Sequence, residues 1–343
     1  MPRGANSSLG DRPIVCAREV RVPGAPPMPG AARSKAEREL DPAWQVAAAE
    51  WTLAAHSRPG DTLPGVSPDF ANGIGLPAAF LDAELDYRPE ATWVKEMPDD
   101  YERDLPGFSA DHPVFKSLNE SLRRLAMQCS DRAVLTVPWF TDSLTTLSLL
   151  RGAEGLLLDL IDRPDDVKRV CAHIDKPALD AHAAWWRTMA DAGLAESLTW
   201  ADVYWPGKVE MLQSDICVNL SPAMFDEFVL PSLRLWSEYF DRACYHLDGA
   251  EQYRFIDRFC GLPGIQTIQW QPGDMHRNPM KWLAYLKDIR KRGRAVWVMA
   301  FDTEAPVRIT EELGPDGLMF YVRDVASAAD IDRMLERMVA VCR

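Results

Sequence analysis

His246 and Asp248 stand two residues apart in the apolar run "ACYHLDG", and the next such run, "IQTIQWQ", closes on Gln269, Trp270 and Gln271. Residues two apart on a β-strand point to one side. If both runs are strands, the imidazole and the carboxylate aim at a common spot. Two kinds of chemistry suit that pairing. The two groups can work as an acid and base on a substrate. Alternatively they hold one divalent ion, zinc or another, with the Gln269 side-chain oxygen as a further hard ligand and water in the open positions. Each residue also has a duller role: a hydrogen-bonded structural histidine, and a cap for the helix read in "GAEQYRFIDRF".

Elements that could position such a site recur along the chain. Short β-rich runs occur at 133–140 ("AVLTVPWF"), 198–205 ("LTWADVYW"), 243–248, 265–270, 295–301 ("AVWVMAF") and 317–322 ("GLMFYV"), with "TLPGVSPDF" (62–70) as the candidate first strand. Amphipathic stretches lie between them, several opened by helix-start pairs such as Ser221-Pro222 and Asn278-Pro279. Strand–helix alternation over this length implies a parallel sheet covered by helices, and eight units fit, so the expected fold is an α/β (β/α)8 barrel. No Gly-x-Gly-x-x-Gly or phosphate-binding loop follows any of the runs, which argues against a nucleotide-binding sheet. Residues 1–37, rich in Pro, Gly and Arg, read as a flexible tail, and 38–343 as one barrel domain.

A barrel carries its chemistry at the carboxyl ends of its strands. That rule gathers Trp139, Phe140, Asp142, Asp202, Tyr204, Trp205, His246, Asp248, Gln269, Trp270, Gln271, Met299, Phe301, Asp302, Tyr321 and Arg323. His246, Asp248, Asp202 and Tyr321 are the candidates for catalysis. The remainder would line an aromatic small-molecule pocket, suited to a flat substrate or to a methylammonium group held by cation–π attraction.

Composition narrows the field. The 343 residues are 47% hydrophobic and carry a net charge of −13, which disfavours nucleic acid and anionic membranes as partners. No run reaches the roughly 18 apolar residues of a membrane span, and no signal pattern opens the chain, so a cytoplasmic protein is expected. The seven cysteines include no CxxC pair, against a disulfide framework or a zinc ribbon.

The run "YHLDGAEQYRFIDRFCGLPGIQTIQWQPGD", preceded by "QSDICVNLSPAMFDEFVLPSL" and by "PWFTDSLTTLSLLRGAEGLLLDLIDRPDDV", resembles the uroporphyrinogen decarboxylase superfamily, which includes corrinoid-dependent methyltransferases. The resemblance covers roughly residues 60 to 340 and implies the same barrel. In the methyltransferase branch it implies a His-x-Cys pair and a distal cysteine holding zinc, which keeps a thiol acceptor nucleophilic. This sequence reads His246-Leu247-Asp248 instead, and no cysteine lies between Cys260 and Cys342. A tight thiolate zinc site is therefore not expected. The arginine-rich segment with which the decarboxylases grip their substrate has no counterpart here. The leading expectation is demethylation of a small O- or N-methylated substrate, with transfer to a corrinoid carried by a partner protein and a homodimer as the assembly. A decarboxylase or lyase acting on a small carboxylate, and a non-catalytic ligand-binding barrel, are the alternatives.

Overall fold

The computed structural model describes residues 11–30, 34–70, 73–88, 92–97, 101, 105–271, 273, 276–324 and 327–343. By its contacts the chain divides into two units: Met1–Pro26, Ala54–Pro64 and Arg242–Arg343 form the first, and Pro27–Leu53 with Gly65–Asp241 the second.

In the first unit five apolar runs become parallel neighbours: β1 (Ile14–Ala17), β2 (Arg242–Asp248), β3 (Ile265–Gln271), β4 (Ala295–Ala300) and β5 (Leu318–Val322), in the order β1-β5-β4-β3-β2. The register pairs His246 with Gln269, Gln269 with Trp297, Met299 with Tyr321, and Tyr321 with Cys16. Because side chains alternate, the sheet sorts its residues onto two faces. One face carries Val15, Leu247, Ile268, Trp270, Val298 and Phe320, all buried. Each such side chain contributes roughly 1.5–3 kcal/mol of hydrophobic stabilisation. Tyr245, on that face, stacks on Phe259 of the helix Ile256–Gly261, with ring centroids 3.7 Å apart. The opposite face is mixed and carries His246, Asp248, Gln269 and Gln271.

Three features differ from the sequence reading. Ile14–Ala17, expected in the tail, is a buried strand paired with β5, tied down by the Arg12–Asp61 ion pair (2.6 Å) and by Ala17 N–H donating to Thr62 Oγ1 (2.8 Å). Its four residues are too apolar to stay in water once β5 offers a ladder. Second, the described residues form no closed ring of eight strands; the parallel sheet is open. In the second unit Gly65–Val66 pairs in parallel with Val134–Leu135 over two residues each. Pro64, Pro68 and Pro138 crowd these pieces, and a proline has no N–H to extend a ladder. Third, "LTWADVYW" is a tight hairpin rather than one strand: Ser197–Leu198 pairs antiparallel with Tyr204–Trp205, turning through Asp202 at φ 60°. Asp is one of the few residues to adopt that left-handed backbone readily.

The second unit is mainly helical, with helices Pro113–Cys129, Ser143–Arg151, Ala153–Asp162, Pro164–Asp191 and Leu230–Tyr239. Before the last of these, the chain makes a wide turn at Phe225–Val229 in which Leu230 N–H bonds to Phe225 O. Pro231 accounts for it, since its ring clashes with the carbonyl four residues back and widens the helix. Among the described residues no helix is long and apolar enough to cross a membrane.

Candidate functional site

Gly249, at φ 88°, turns the chain sharply out of β2 into the 3-10 turn Ala250–Phe255. That conformation is open to glycine and strained for other residues. The turn takes no side-chain cap; Gln252 Nε2 donates instead to the Asp248 main-chain oxygen (2.8 Å). The Asp248 carboxylate is therefore not consumed as a cap. It lies 3.9 Å from His246 Nε2, with the Asp248 side chain about half exposed and His246 largely buried.

The other ring nitrogen, His246 Nδ1, makes a close contact with Gln269 Oε1. An amide oxygen accepts and cannot donate, so Nδ1 carries the proton in that contact, while Nε2 is the nitrogen nearer Asp248. Gln269 is buried, which fixes the ring in that orientation. Gln269 and Asp248 thus engage opposite nitrogens. The three-residue metal set His246, Asp248 and Gln269 does not converge on one point beside Nε2.

Gln271 faces Asp248 across the β2–β3 register and shares the His246 face. Its Oε1 is buried and accepts no hydrogen bond among the described residues. Sequence reading grouped it with the strand end and gave it no role. The available signal was parity, since Gln271 stands two residues after Gln269.

Tyr321 sits on the same face of β5, its ring stacked on Trp297 at 5.8 Å and 14°. Phe301, just past β4, is half-buried beneath the Arg277 guanidinium (4.8 Å), and Arg277 Nη1 reaches Asp324 Oδ2 (3.3 Å). Arg323 follows β5, its N–H bonded to Ala300 O (2.8 Å). Trp270 departs from expectation. Its parity puts it on the apolar face, fully buried among Tyr253, Trp282 and Tyr285, so it is core and lines no mouth.

Four candidates belong to the second unit. Asp202 is the hairpin turn residue described above. Tyr204 is exposed and donates its hydroxyl to Glu196 (2.5 Å), a solvated position that does not suit a pocket wall. Trp205 is half-buried on the same hairpin. Trp139 packs over Gly73, where a Cβ would clash with its ring, and lies 5.9 Å from Trp200.

The second unit also holds buried polar groups: Asp142, which its strand-end position had shortlisted, and Asp175 and Glu210, which sequence reasoning missed. Asp142 caps the helix Ser143–Arg151, accepting from Leu144 N–H (3.1 Å), Thr145 N–H (3.2 Å) and Ser214 Oγ (3.2 Å). Burial pushes its carboxyl up to about 7. Asp175, inside the helix Pro164–Asp191, accepts from Ser143 Oγ (3.1 Å), Ser232 Oγ (2.7 Å) and Trp236 Nε1 (2.8 Å), and burial raises it too. Glu210 is buried in the strand Val209–Leu212 and burial pushes it up to about 8. His182, by contrast, is a packed structural histidine: its Nδ1 meets Tyr239 Oη at 3.0 Å, and burial pushes it down to about 3.

The fold, with this site on one face of its sheet, is similar to that of a methyltransferase from Methanosarcina mazei: TM-score 0.62 at 12% identity, over 96% of this chain and 94% of that one. No family model matches the chain, and no curated protein matches it. At that identity the likeness carries the fold alone.

Proposed function

We propose that this protein is a methyl-transfer enzyme that demethylates a small O- or N-methylated substrate, with a corrinoid on a partner protein as acceptor. The single observation that carries the reading is the constellation at the carboxyl end of β2 and β3: His246 with one nitrogen anchored by Gln269 and the other turned toward Asp248 at 3.9 Å. The methyltransferase fold of the structural neighbour and the superfamily resemblance support the reaction class.

A resident zinc of the thiolate type does not fit these residues. Among the described residues no three His, Cys, Asp or Glu side chains gather around one point, and Asp248 stands where a thiolate would be needed. No step is routed through a metal. A reduced corrinoid, when its carrier docks, supplies the electron pair that takes the methyl group.

The chain's own task is then to manage the heteroatom left behind. As the methyl–heteroatom bond breaks, both its electrons go to oxygen or nitrogen. His246 Nε2 sits where it governs the proton there. Once doubly protonated, the ring donates from Nε2 to a leaving oxygen, while Gln269 holds Nδ1–H and Asp248 stabilises the imidazolium. Tyr321, Phe301 and Arg323, of the same unit as His246, are assigned to the substrate's surroundings.

Incubating the protein with methylated aromatic ethers and amines and a cob(I)amide carrier, and following the methylcorrinoid absorbance, tests the proposal. Turnover by the wild type, lost about 100-fold or more in His246→Ala with an unchanged circular dichroism spectrum, is the expected result. His246→Ala turning over at the wild-type rate overturns it.

A further inference from the structure

Two buried carboxylates of the second unit share one hydrogen-bond network. Asp142 takes three donors on Oδ1, the N–H groups of Leu144 (3.1 Å) and Thr145 (3.2 Å) and the Ser214 hydroxyl (3.2 Å). Its Oδ2 faces the Thr141 hydroxyl (3.5 Å), which can accept a hydrogen bond as well as donate one. Ser143, next in the chain, bonds to Asp175 Oδ2 (3.1 Å), and Asp175 Oδ1 takes Ser232 Oγ and Trp236 Nε1. Asp142 is 6% exposed and Asp175 5%. Among the described residues no Lys, Arg or His pairs with either one. The titratable groups facing them are Asp215, on the 3-10 turn Asp215–Asn219, and Cys171, whose thiol burial raises and keeps neutral. Arg151, on the helix that Asp142 caps, pairs with Asp159 instead, and the helix Leu76–Phe80 is apolar throughout. Like charges so placed cannot all ionise freely. Burial pushes Asp142 from 3.8 up to about 7, and the charges of Asp215 and Asp175 add to the rise.

We infer that Asp142 is a pH-responsive clasp: protonated, it holds the segment 213–219 against the helix Ser143–Arg151, and ionised, it lets that segment open to water. Three contacts tie the two together: Ser214 Oγ to Asp142, Gln213 Nε2 to Thr141 Oγ1 (3.5 Å), and Asp215 N–H to Thr145 Oγ1 (3.0 Å). The neutral acid keeps Oδ1 for its three donors and gives its own proton from Oδ2 to Thr141. Loss of that proton leaves an anion among Asp175 and Asp215, and opening replaces those surroundings with water. In the open form Asp142 returns to the ordinary carboxyl range, so the closed form binds the proton more tightly. Closure is therefore strongest at low pH, weakens as pH rises from about 4 to about 7, and is constant above. The segment continues from the carboxyl end of the strand Val209–Leu212, the end at which barrel-type folds carry their ligand loops. The clasp is independent of the proposed methyl transfer, whose residues lie in the other unit.

Amide hydrogen exchange of the full chain, resolved to single residues at pH 5, 6, 7 and 8, tests the clasp. Leu144, Thr145 and Asp215 are the amides to read, because the first two bond to Asp142 and the third crosses the junction. Once the intrinsic exchange rate is divided out, their protection should fall about tenfold or more between pH 5 and pH 7 and level off above. Leu122, buried in the helix Pro113–Cys129, reports opening of the whole unit and should keep its protection throughout. Asp142→Asn mimics the neutral acid, its amide oxygen accepting and its NH2 donating toward Thr141, and should hold the three amides protected at every pH. Asp175→Asn removes one like charge and should bring the levelling-off to lower pH; it carries the test if Asp142→Asn does not fold. Constant protection in the wild type between pH 5 and pH 7 overturns the inference. So does a fall that Leu122 shares in full, a fall that Asp142→Asn retains in full, or a levelling-off that Asp175→Asn leaves in place.

Discussion

Glu210 offers a measurable test of how the second unit is held together. Its carboxyl is 3% exposed in the strand Val209–Leu212, and its Oε1 accepts Met211 N–H at 2.7 Å. No cation pairs with it among the described residues. Burial therefore dominates and lifts its pKa from the ordinary 4.5 to about 8, the single backbone bond pulling weakly the other way. An acid whose pKa is higher folded than unfolded binds more protons when folded, between those two values. Stability accordingly falls as pH rises from about 4.5 to about 8 and is flat beyond. At about 1.4 kcal/mol per pH unit, ionising Glu210 removes about 5 kcal/mol over the whole window and about 3.5 kcal/mol between pH 5 and pH 8. Glu210→Gln keeps the shape and the acceptor for Met211 N–H and has no charge to bury. Urea denaturation followed by tryptophan fluorescence, at pH 5, 6, 7 and 8, should show the wild-type midpoint dropping faster with pH than that of the variant. At pH 8 the variant should be the more stable protein. Asp142, pushed to about 7 by the same cause, keeps some downward slope in both proteins. Parallel midpoint curves for the two proteins would refute the reasoning, because they would mean that Glu210 is solvated or paired in the folded state.

Three further expectations follow from particular positions. Elemental analysis after dialysis should find well under one equivalent of zinc per chain; a full equivalent that survives dialysis would restore thiolate-style metal chemistry. Gly249→Ala, forced to φ 88°, should cost about 1–2 kcal/mol by thermal or chemical unfolding, and an unchanged melt would mean that the turn after Asp248 relaxes freely. Asp202→Gly should hold or slightly raise stability, because glycine adopts φ 60° without penalty; a melt lowered by several degrees would mean that the Asp202 side chain holds the hairpin.

The sheet of the first unit was legible because its two faces differ in composition. "ACYHLD", "IQTIQW", "AVWVMAF" and "GLMFYV" each became a strand within a residue or two of the expected ends. The buried face of β2 to β5 needs continuous apolar side chains, and that pattern survives in the letters. The short pieces of the second unit were not legible. "AVLTVPWF" has the right residue types, yet Pro138 withholds the N–H that would carry the ladder past Leu135. "LTWADVYW" alternates as a strand should, and what turns it is a single backbone angle at Asp202, which no hydrophobic pattern encodes. Ile14–Ala17 was hidden for a different reason. Its flanks are rich in Pro and Gly, and the partner that makes it a strand, β5, lies some three hundred positions further along the chain.

The site was half legible, and parity explains which half. Two-residue spacing placed His246 with Asp248, and the same alternation, left unused in the next strand, sets Gln271 with Gln269, because alternation is a property of the strand itself. What spacing cannot give is which atom of a side chain meets which. Gln269 looked like a metal ligand because its oxygen lies at the right strand end; the structure puts that oxygen on His246 Nδ1, where it selects the tautomer instead. Trp270 sits between those two glutamines in sequence, and alternation sends it to the opposite face, into the aromatic core with Trp282 and Tyr285. The same rule that assembled the His246 site should have excluded Trp270 from it. Applied strictly, it leaves Gln271 on the face of His246 and Asp248, with a buried side-chain oxygen that accepts no hydrogen bond among the described residues.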